Sequence, residues 1–431
     1  MGLVKQQSEE SLADVFTALR QSSTDLCATL TPEDCNLQAM PETSPAKWHL
    51  AHTTWFFETF VLDEYSVGYL PVNPLYRVLF NSYYNGIGKQ FPRAQRALLS
   101  RPTLAEVLDY RATVDTAVIE LLNEANHPHH DLIQARVELG LHHEAQHQEL
   151  LLTDVKYNLF QNPLFPAYRK HVQPGPESLP ANSTHAAAPL QLIDCPGGEC
   201  ETGYAGDGFC FDNELPRHIE YVAPFKLANR LVTNGEFLEF VAAGGYRNPE
   251  YWLADGWNEL QQQNLQQPLY WGNVDGQWLE YTLFGLGSLN KTAPASHLSY
   301  FEAQAYATWA GKRLPTEAEW ESVAQRQVVT GNLLDADRLQ PQAAERSGAG
   351  AIQQLYGDCW EWTQSAYLPY PGYQPLPNAV GEYNGKFMSG QMVLRGGSCL
   401  SQAFHIRSSY RNFFYPRDRW QCSGIRLAAD V

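Results

Sequence analysis

The sequence predicts an α+β protein of more than one domain: a helical N-terminal four-helix bundle, then an irregular domain of short strands. Three observations carry this reading. The chain has 431 residues, 44% of them hydrophobic, which is enough for two cores and long for one ordinary bundle. The first 170 residues hold long stretches with apolar residues at three-to-four spacing. Beyond a proline-rich break, the texture changes to short apolar runs, frequent Gly and Pro, and many Trp and Tyr.

Over 11–30, Leu12, Val15, Phe16, Leu19 and Leu26 recur at helical spacing. In SPAKWHLAHTTWFFETFVLDEY, Ser44 is the expected N-cap and Pro45 the first residue of a second helix. Leu104, Val107, Leu108, Val114, Val118 and Leu121 mark a third over 103–123. Leu132, Ile133, Val137, Leu141, Leu151, Leu152, Val155 and Leu159 mark a fourth over 130–160. Four such helices make a bundle. Between the second and third lies an aperiodic stretch, NPLYRVLFNSYYNGIGKQFPRAQRALLSRP, and a loop of that length in a compact domain is often functional. The expected boundaries are 1–170 for the bundle, 171–190 for a linker with four prolines, and 191–431 for the second domain. Within the last, helices are expected only near 234–243 and 299–310, with the Gln-rich 260–267 as a surface loop.

Composition excludes several function classes. Lys and Arg number 30 against 47 Asp and Glu, a net charge of −17 that repels nucleic-acid phosphates. No run of about 18 apolar residues is present to span a membrane. The start, MGLVKQQSEESL, lacks the apolar core of a secretory signal, and Gln6 stands where a myristoylation motif needs Ser or Thr. Eight cysteines are thinly spread, so reduced thiols in the cytoplasm are expected.

The strongest chemical signal is LHHEAQHQELLL. His143 and His147 are four apart and share one helix face, so two imidazoles can reach one metal ion. His142 points about a third of a turn away. A third ligand must come from another element, and His49 and His52 on the second helix are both candidates; the spacing does not choose between them. Three imidazoles with open positions suit Zn or Fe(II). Gln146 can aim an amide at a ligand near the metal. In the long loop, Tyr83 and Tyr84 are candidate proton donors. Arg93 and Arg96 are candidate clamps for a carboxylate. Near the end, YRNFFYPRDRW groups Asn412 with Phe413, Phe414 and Tyr415, either core packing or a site for a quaternary ammonium.

SPAKWHLAHTTWFFE together with HHEAQHQE resembles the DinB-like metal-binding bundle. The segments NRLVTNGEFLEFVAAGGYRNPEYW, PASHLSYFEAQAYATWAGKRLPTEAEWE, YGDCWEWT, LRGGS and SGIRLA resemble the formylglycine-generating-enzyme fold, a variant of the C-type lectin fold. In this order the halves resemble the ergothioneine-biosynthetic sulfoxide synthases of the EgtB type. The resemblance implies an Fe(II) enzyme that uses O2 as co-substrate. It would join a thiol sulfur to the imidazole C2 of hercynine, the Nα-trimethylated histidine, as a sulfoxide. It implies that His52, His143 and His147 hold the iron, and that His49 packs or supports. It gives Gln146, Asn412 and Phe413 to hercynine, the donor role to Tyr83 and a supporting role to Tyr84. Tyr367, Tyr370 and Tyr373 stand in reserve, since another subgroup places its tyrosine in the second domain.

One departure bears on the sulfur donor. Members that use γ-glutamylcysteine resemble one another in an Asn-Trp-Asp here, where this chain has Asn412-Phe413-Phe414. Phe414 cannot pair with a glutamyl ammonium, so free cysteine is the expected donor, its carboxylate held by Arg93 or Arg96. The competing readings are a selenium-inserting relative acting on hercynine and a selenosugar, and a non-catalytic lectin-like binding protein with a structural metal. A formylglycine generator is disfavoured, because Cys399 follows RGGS directly and the next cysteine is Cys422.

Overall fold

The computed structural model describes residues 11–170, 189–345, 350–377 and 379–431. Residues 171–188 of the expected linker lie outside that set. The chain divides into two compact units. The first comprises Met1–Leu164 with two later segments, Ala205–Cys210 and Pro375–Gly385; the second comprises Phe165–Tyr204, Phe211–Gln374 and Lys386–Val431.

The first unit is built on four helices: α1 Leu12–Cys27, α2 Ala46–Phe57, α3 Leu104–Leu122 and α4 His130–Phe160. Capping boxes start two of them, Ser11 with Asp14 on α1 and Thr103 with Glu106 on α3. Every residue of α2 is buried, so no amphipathic stripe marks it, and it runs on through a π-helical turn, Glu58–Leu62. Contrary to the sequence expectation, Ser44 does not cap α2. Pro45 is the N-cap, in extended backbone, and Ser44 is drawn inward instead. Its N–H donates to Asp154 Oδ2 and its hydroxyl accepts from Arg96. α4 has 31 residues and runs roughly 46 Å at the α-helical rise. Gly140 lets it approach α2, because a Cβ there would lie 2.3 Å from Phe57 Cε1. Behind the α4 histidines lies a buried ionic cluster. Glu144 accepts from Arg20 at 2.8 Å, from Ser23 Oγ at 2.6 Å and from Arg111. Burial pushes the Glu144 carboxyl up, but Arg111 and Arg20 outweigh it and hold it down at about 2.

The second unit consists of short strands and short helices. β1 Leu192–Cys195, β4 Phe225–Ala228 and β12 Ala428–Asp430 form one antiparallel sheet, in which β4 lies between the other two and pairs with the last strand. β8 Trp360–Ala366, β9 Met392–Arg395, β10 Asn412–Phe414 and β11 Ser423–Gly424 form a mixed sheet, in which β11 runs parallel to β8. β2 Gly198–Thr202 pairs with β3 His218–Val222, and β5 Trp271–Val274, β6 Gln277–Thr282 and β7 Gly285–Ser288 form a meander. Cys195, Val222, Phe225, Leu227, Ala318 and Ala428 share one core cluster. The expected helices appear as α5 Asn234–Ala242 and α7 Tyr300–Trp309, but two more are present. α6 Ala254–Gln263 takes in half of the expected Gln-rich loop, and Leu260 is buried. α8 Glu317–Ala324 escaped the periodicity because its buried face is acidic: Glu317, Glu319 and Glu321 pair with Arg411, Arg313 and Arg395. Among the described residues no helix is long and apolar enough to cross a membrane.

Candidate metal centre

His52 on α2 and His143 and His147 on α4 each turn a ring nitrogen toward a common point, all three atoms within 4.8 Å of one another. The ring centroids are 5.0 Å apart for His52 and His143, 4.7 Å for His52 and His147, and 4.6 Å for His143 and His147. His52 and His143 are fully buried and His147 partly so. His142 turns away from this group and stacks on Phe209 at 3.8 Å. Burial pushes the His143 imidazole down to about 3 and holds His52 and His147 well below the ordinary range, with mutual repulsion adding to the effect. All three are therefore neutral, the form that binds metal.

The residues fit a metal ion. Nε2 of His52 and both ring nitrogens of His143 are buried without a hydrogen-bond partner. An unpaired buried polar atom costs about 1–3 kcal/mol, so the unpaired nitrogens of His52 and His143, one from each ring turned to the common point, call for a ligand. His52 Nδ1 donates to the carbonyl of Phe80 at 2.6 Å, which places the hydrogen on Nδ1 and the lone pair on Nε2. Trp48 stacks on one face of that ring at 4.6 Å and Trp55 on the other at 5.4 Å, fixing its plane. His49 is not in the group. Its Nδ1 meets Nδ1 of His147 at 2.9 Å and its Nε2 meets Asp154 Oδ2 at 3.0 Å.

The long loop closes beside the histidines. Tyr83 and Tyr84 stack on each other at 4.7 Å, and Tyr84 packs against Trp55 and Phe60. Burial raises the pKa of both phenols, so both keep their protons at neutral pH. Arg96 is buried with its guanidinium 3.4 Å from the Trp48 ring centroid. It donates to Ser44 Oγ at 2.7 Å, its Nε has no partner, and no carboxylate pairs with it among the described residues. Burial, together with the charge of Arg93, pushes its pKa well down. A buried cation without a counter-ion suits an anionic ligand. Arg93 is exposed and donates to the carbonyl of Glu42. Gln146 is partly buried on α4, between His143 and His147 in the chain.

Two residues without any local signal complete this region. Tyr383, on Pro375–Gly385, sits with its ring 5.6 Å from His143 and 6.2 Å from Tyr83. Its neighbour Glu382 accepts the N–H groups of Asn85 and Gly86 at 2.9 and 2.7 Å, clamping the loop directly after the tyrosine pair. A Cβ on Gly86 would lie 3.0 Å from Glu382 Oε1.

Asn412, Phe413 and Phe414 lie on β10 of the second unit, all partly buried. Phe413 stacks between Tyr367 at 4.1 Å and Phe387 at 5.8 Å, and Phe414 meets Trp420 edge-on. Asn412 Oδ1 accepts the N–H of Phe413. In the same unit Tyr370 carries the Arg411 guanidinium on its face, and the Tyr373 hydroxyl donates to Asp212.

Comparison with known proteins follows this division. Residues 16–151 match the DinB superfamily, and 178–431 match the sulfatase-modifying factor enzyme 1-like domain. The chain is similar to the hercynine oxygenase of Mycolicibacterium smegmatis, with 32% identity over 98% of this chain and 100% of that one. The hercynine oxygenase of Mycobacterium tuberculosis is 32% identical over 91% and 92% of the two chains. The formylglycine-generating enzyme of Streptomyces coelicolor is 29% identical over 60% of this chain and 93% of its own.

Proposed function

This chain belongs to the hercynine oxygenase family, the ergothioneine-biosynthetic sulfoxide synthases, and on that premise we propose that it joins cysteine sulfur to C2 of the hercynine imidazole, using Fe(II) and O2. One C–H and one S–H are lost, one oxygen atom goes to sulfur, and the other leaves as water. The observation that carries the reading is the group of three imidazoles turned to one point, two of them with buried nitrogens that lack partners.

His52, His143 and His147 would hold the iron, which when bound supplies O2 activation and open positions for the two substrates. Gln146, Asn412 and Phe413 would hold hercynine, as their place in the motif implies. Arg96 would take the cysteine carboxylate. Its burial and lack of a counter-ion favour it over the exposed Arg93. Tyr83 keeps its phenolic proton and would donate it as oxygen is reduced, which favours C–S bond formation over simple oxidation of the thiol. Tyr84 would hold Tyr83 by stacking. Phe414 offers no carboxylate to a γ-glutamyl ammonium, so cysteine is the preferred donor. Formylglycine generation is disfavoured further. Cys399 and Cys422 come within 3.9 Å, but each is 1% exposed and neither is open to a substrate.

The test is anaerobic loading with Fe(II), then O2 with hercynine and either cysteine or γ-glutamylcysteine, read by mass spectrometry. Hercynylcysteine sulfoxide is the expected product. Metal binding without coupling from either thiol would overturn the assignment in favour of a selenium-inserting or non-catalytic relative.

A further inference from the structure

We infer that Asp154 and His49 form a hydrogen-bond relay that fixes which nitrogen of His147 faces the metal, so that both are positioning residues of the centre. The inference rests on the three-histidine reading above. His49 precedes His52 by one turn of α2, and Asp154 follows His147 by two turns of α4; both are 3% exposed. The contacts form one chain: Asp154 Oδ2 to His49 Nε2 at 3.0 Å, then His49 Nδ1 to His147 Nδ1 at 2.9 Å. Oδ2 of Asp154 also accepts the backbone N–H of Ser44 at 2.8 Å, so the carboxylate is anchored from a second direction.

The hydrogens follow from the chemistry of the ends. A carboxylate oxygen accepts, so Nε2 of His49 carries the hydrogen. A neutral imidazole has only one, so Nδ1 of His49 is an acceptor. The hydrogen in the Nδ1···Nδ1 contact must then belong to His147, and its Nε2 is left with the lone pair. In the neutral relay each contact holds one hydrogen, and both ring nitrogens of His49 are taken up, one by Asp154 and one by His147. His52 reaches the same tautomer through a backbone carbonyl. Two of the three ligands are thus oriented through Nδ1 before metal arrives, one by Phe80 and one by the relay. With the other tautomer, His147 would point an N–H at the ion. The bland alternative is that His49 only fills space beside Trp48, which it meets edge-on at 5.8 Å.

The two roles separate by substitution in the full-length, metal-free protein, with Co(II) as a spectroscopic probe and Fe(II) under anaerobic conditions. His49→Phe keeps a ring and loses both hydrogen bonds; it should bind metal about 10–100-fold more weakly than the parent. His49→Gln changes the shape but supplies an amide oxygen for His147 and an amide N–H for Asp154; it should stay within a few-fold of the parent. Asp154→Asn, which keeps an acceptor, should fall between them. Parent-like affinity in a folded His49→Phe protein would overturn the relay. A parent that binds neither ion would overturn the three-histidine reading instead. If His49→Phe does not fold, ¹⁵N NMR of the labelled histidines in the metal-free parent decides. The expected result is a hydrogen on Nδ1 of His147 and on Nε2 of His49; a hydrogen on Nε2 of His147 would overturn the relay.

Discussion

His143 and Glu144 are adjacent on α4 and both fully buried, yet they face opposite surroundings. Glu144 keeps its charge and has its oxygens occupied by Arg20, Arg111 and Ser23. His143 is neutral and neither of its ring nitrogens finds a partner. On the Glu144 side the charges are paired and both carboxylate oxygens are occupied, with only Arg111 Nε left over. The His143 side is complete only with something the chain does not supply. What sets His143 apart from the other unpaired buried atoms is that its ring shares a point with those of His52 and His147. Arg96 repeats the contrast: Arg20 has Asp115 and Glu144, whereas Arg96 has two hydroxyls.

Substitutions can break this contrast in graded steps. The largest effect belongs to the open side. His52→Ala or His147→Ala should abolish turnover and metal uptake, with little change in the melting temperature of the metal-free protein; near-normal activity in either would sink the assignment. Chelating the metal from the parent should lower its melting temperature, and the His52→Ala protein should not respond to the chelator. The closed side should behave in reverse. Glu144→Ala leaves two buried guanidiniums without their shared acceptor and should cost about 3–5 kcal/mol of stability, read by denaturant titration. A loss under 1 kcal/mol would mean that Asp115 alone holds the cluster.

Tyr83→Phe should cut coupled product by about 10²-fold, the lower range for a general acid, and divert cysteine toward its sulfinate. An unchanged ratio of sulfoxide to sulfinate would remove Tyr83 from the proton step and turn attention to Tyr383. Arg96→Gln should raise KM for cysteine by roughly tenfold, the worth of one charge-assisted hydrogen bond, and leave KM for hercynine alone. Equal shifts in both would point to a structural role against Trp48. The smallest effect is expected at the clamp. Glu382→Gln should weaken the loop by about 1 kcal/mol, visible as faster hydrogen exchange at Gly86.

How much of this was legible depends on the range of the interaction. The α3, α5 and α7 helices announce themselves through Thr103 with Glu106, Thr233 with Glu236 and Ser299 with Glu302, each pair only three residues apart. α8 has the same kind of pair, Thr316 with Glu319, but no clear hydrophobic period, because its inward Glu317 and Glu321 are tied to arginines 94 and 74 positions away. α6 was half hidden by its glutamines, where only Leu260 carries the buried face strongly. Ser44 looked like a cap because the local rule is sound, but Asp154 and Arg96 compete for its polar groups. Nothing near Tyr383 or Glu382 hints at their place beside the tyrosine loop.

By itself the sequence determined the two-part architecture, the bundle helices and the pairing of His143 with His147. Each of these rests on composition or on the 3.6-residue period, except α2, which is buried all round and is marked by Ser44-Pro45 at its start, and a helix converts spacing into distance. Tertiary structure decided the rest. His49 and His52 are equally spaced candidates on one helix, and only the packing of α2 on α4 makes one a member of the triad and the other a partner of His147 and Asp154. It also brought Arg20 to Glu144 across 124 positions and Tyr383 to His143 from the far end of the chain. Contacts of that range are set by which surfaces bury one another, and no local spacing encodes them.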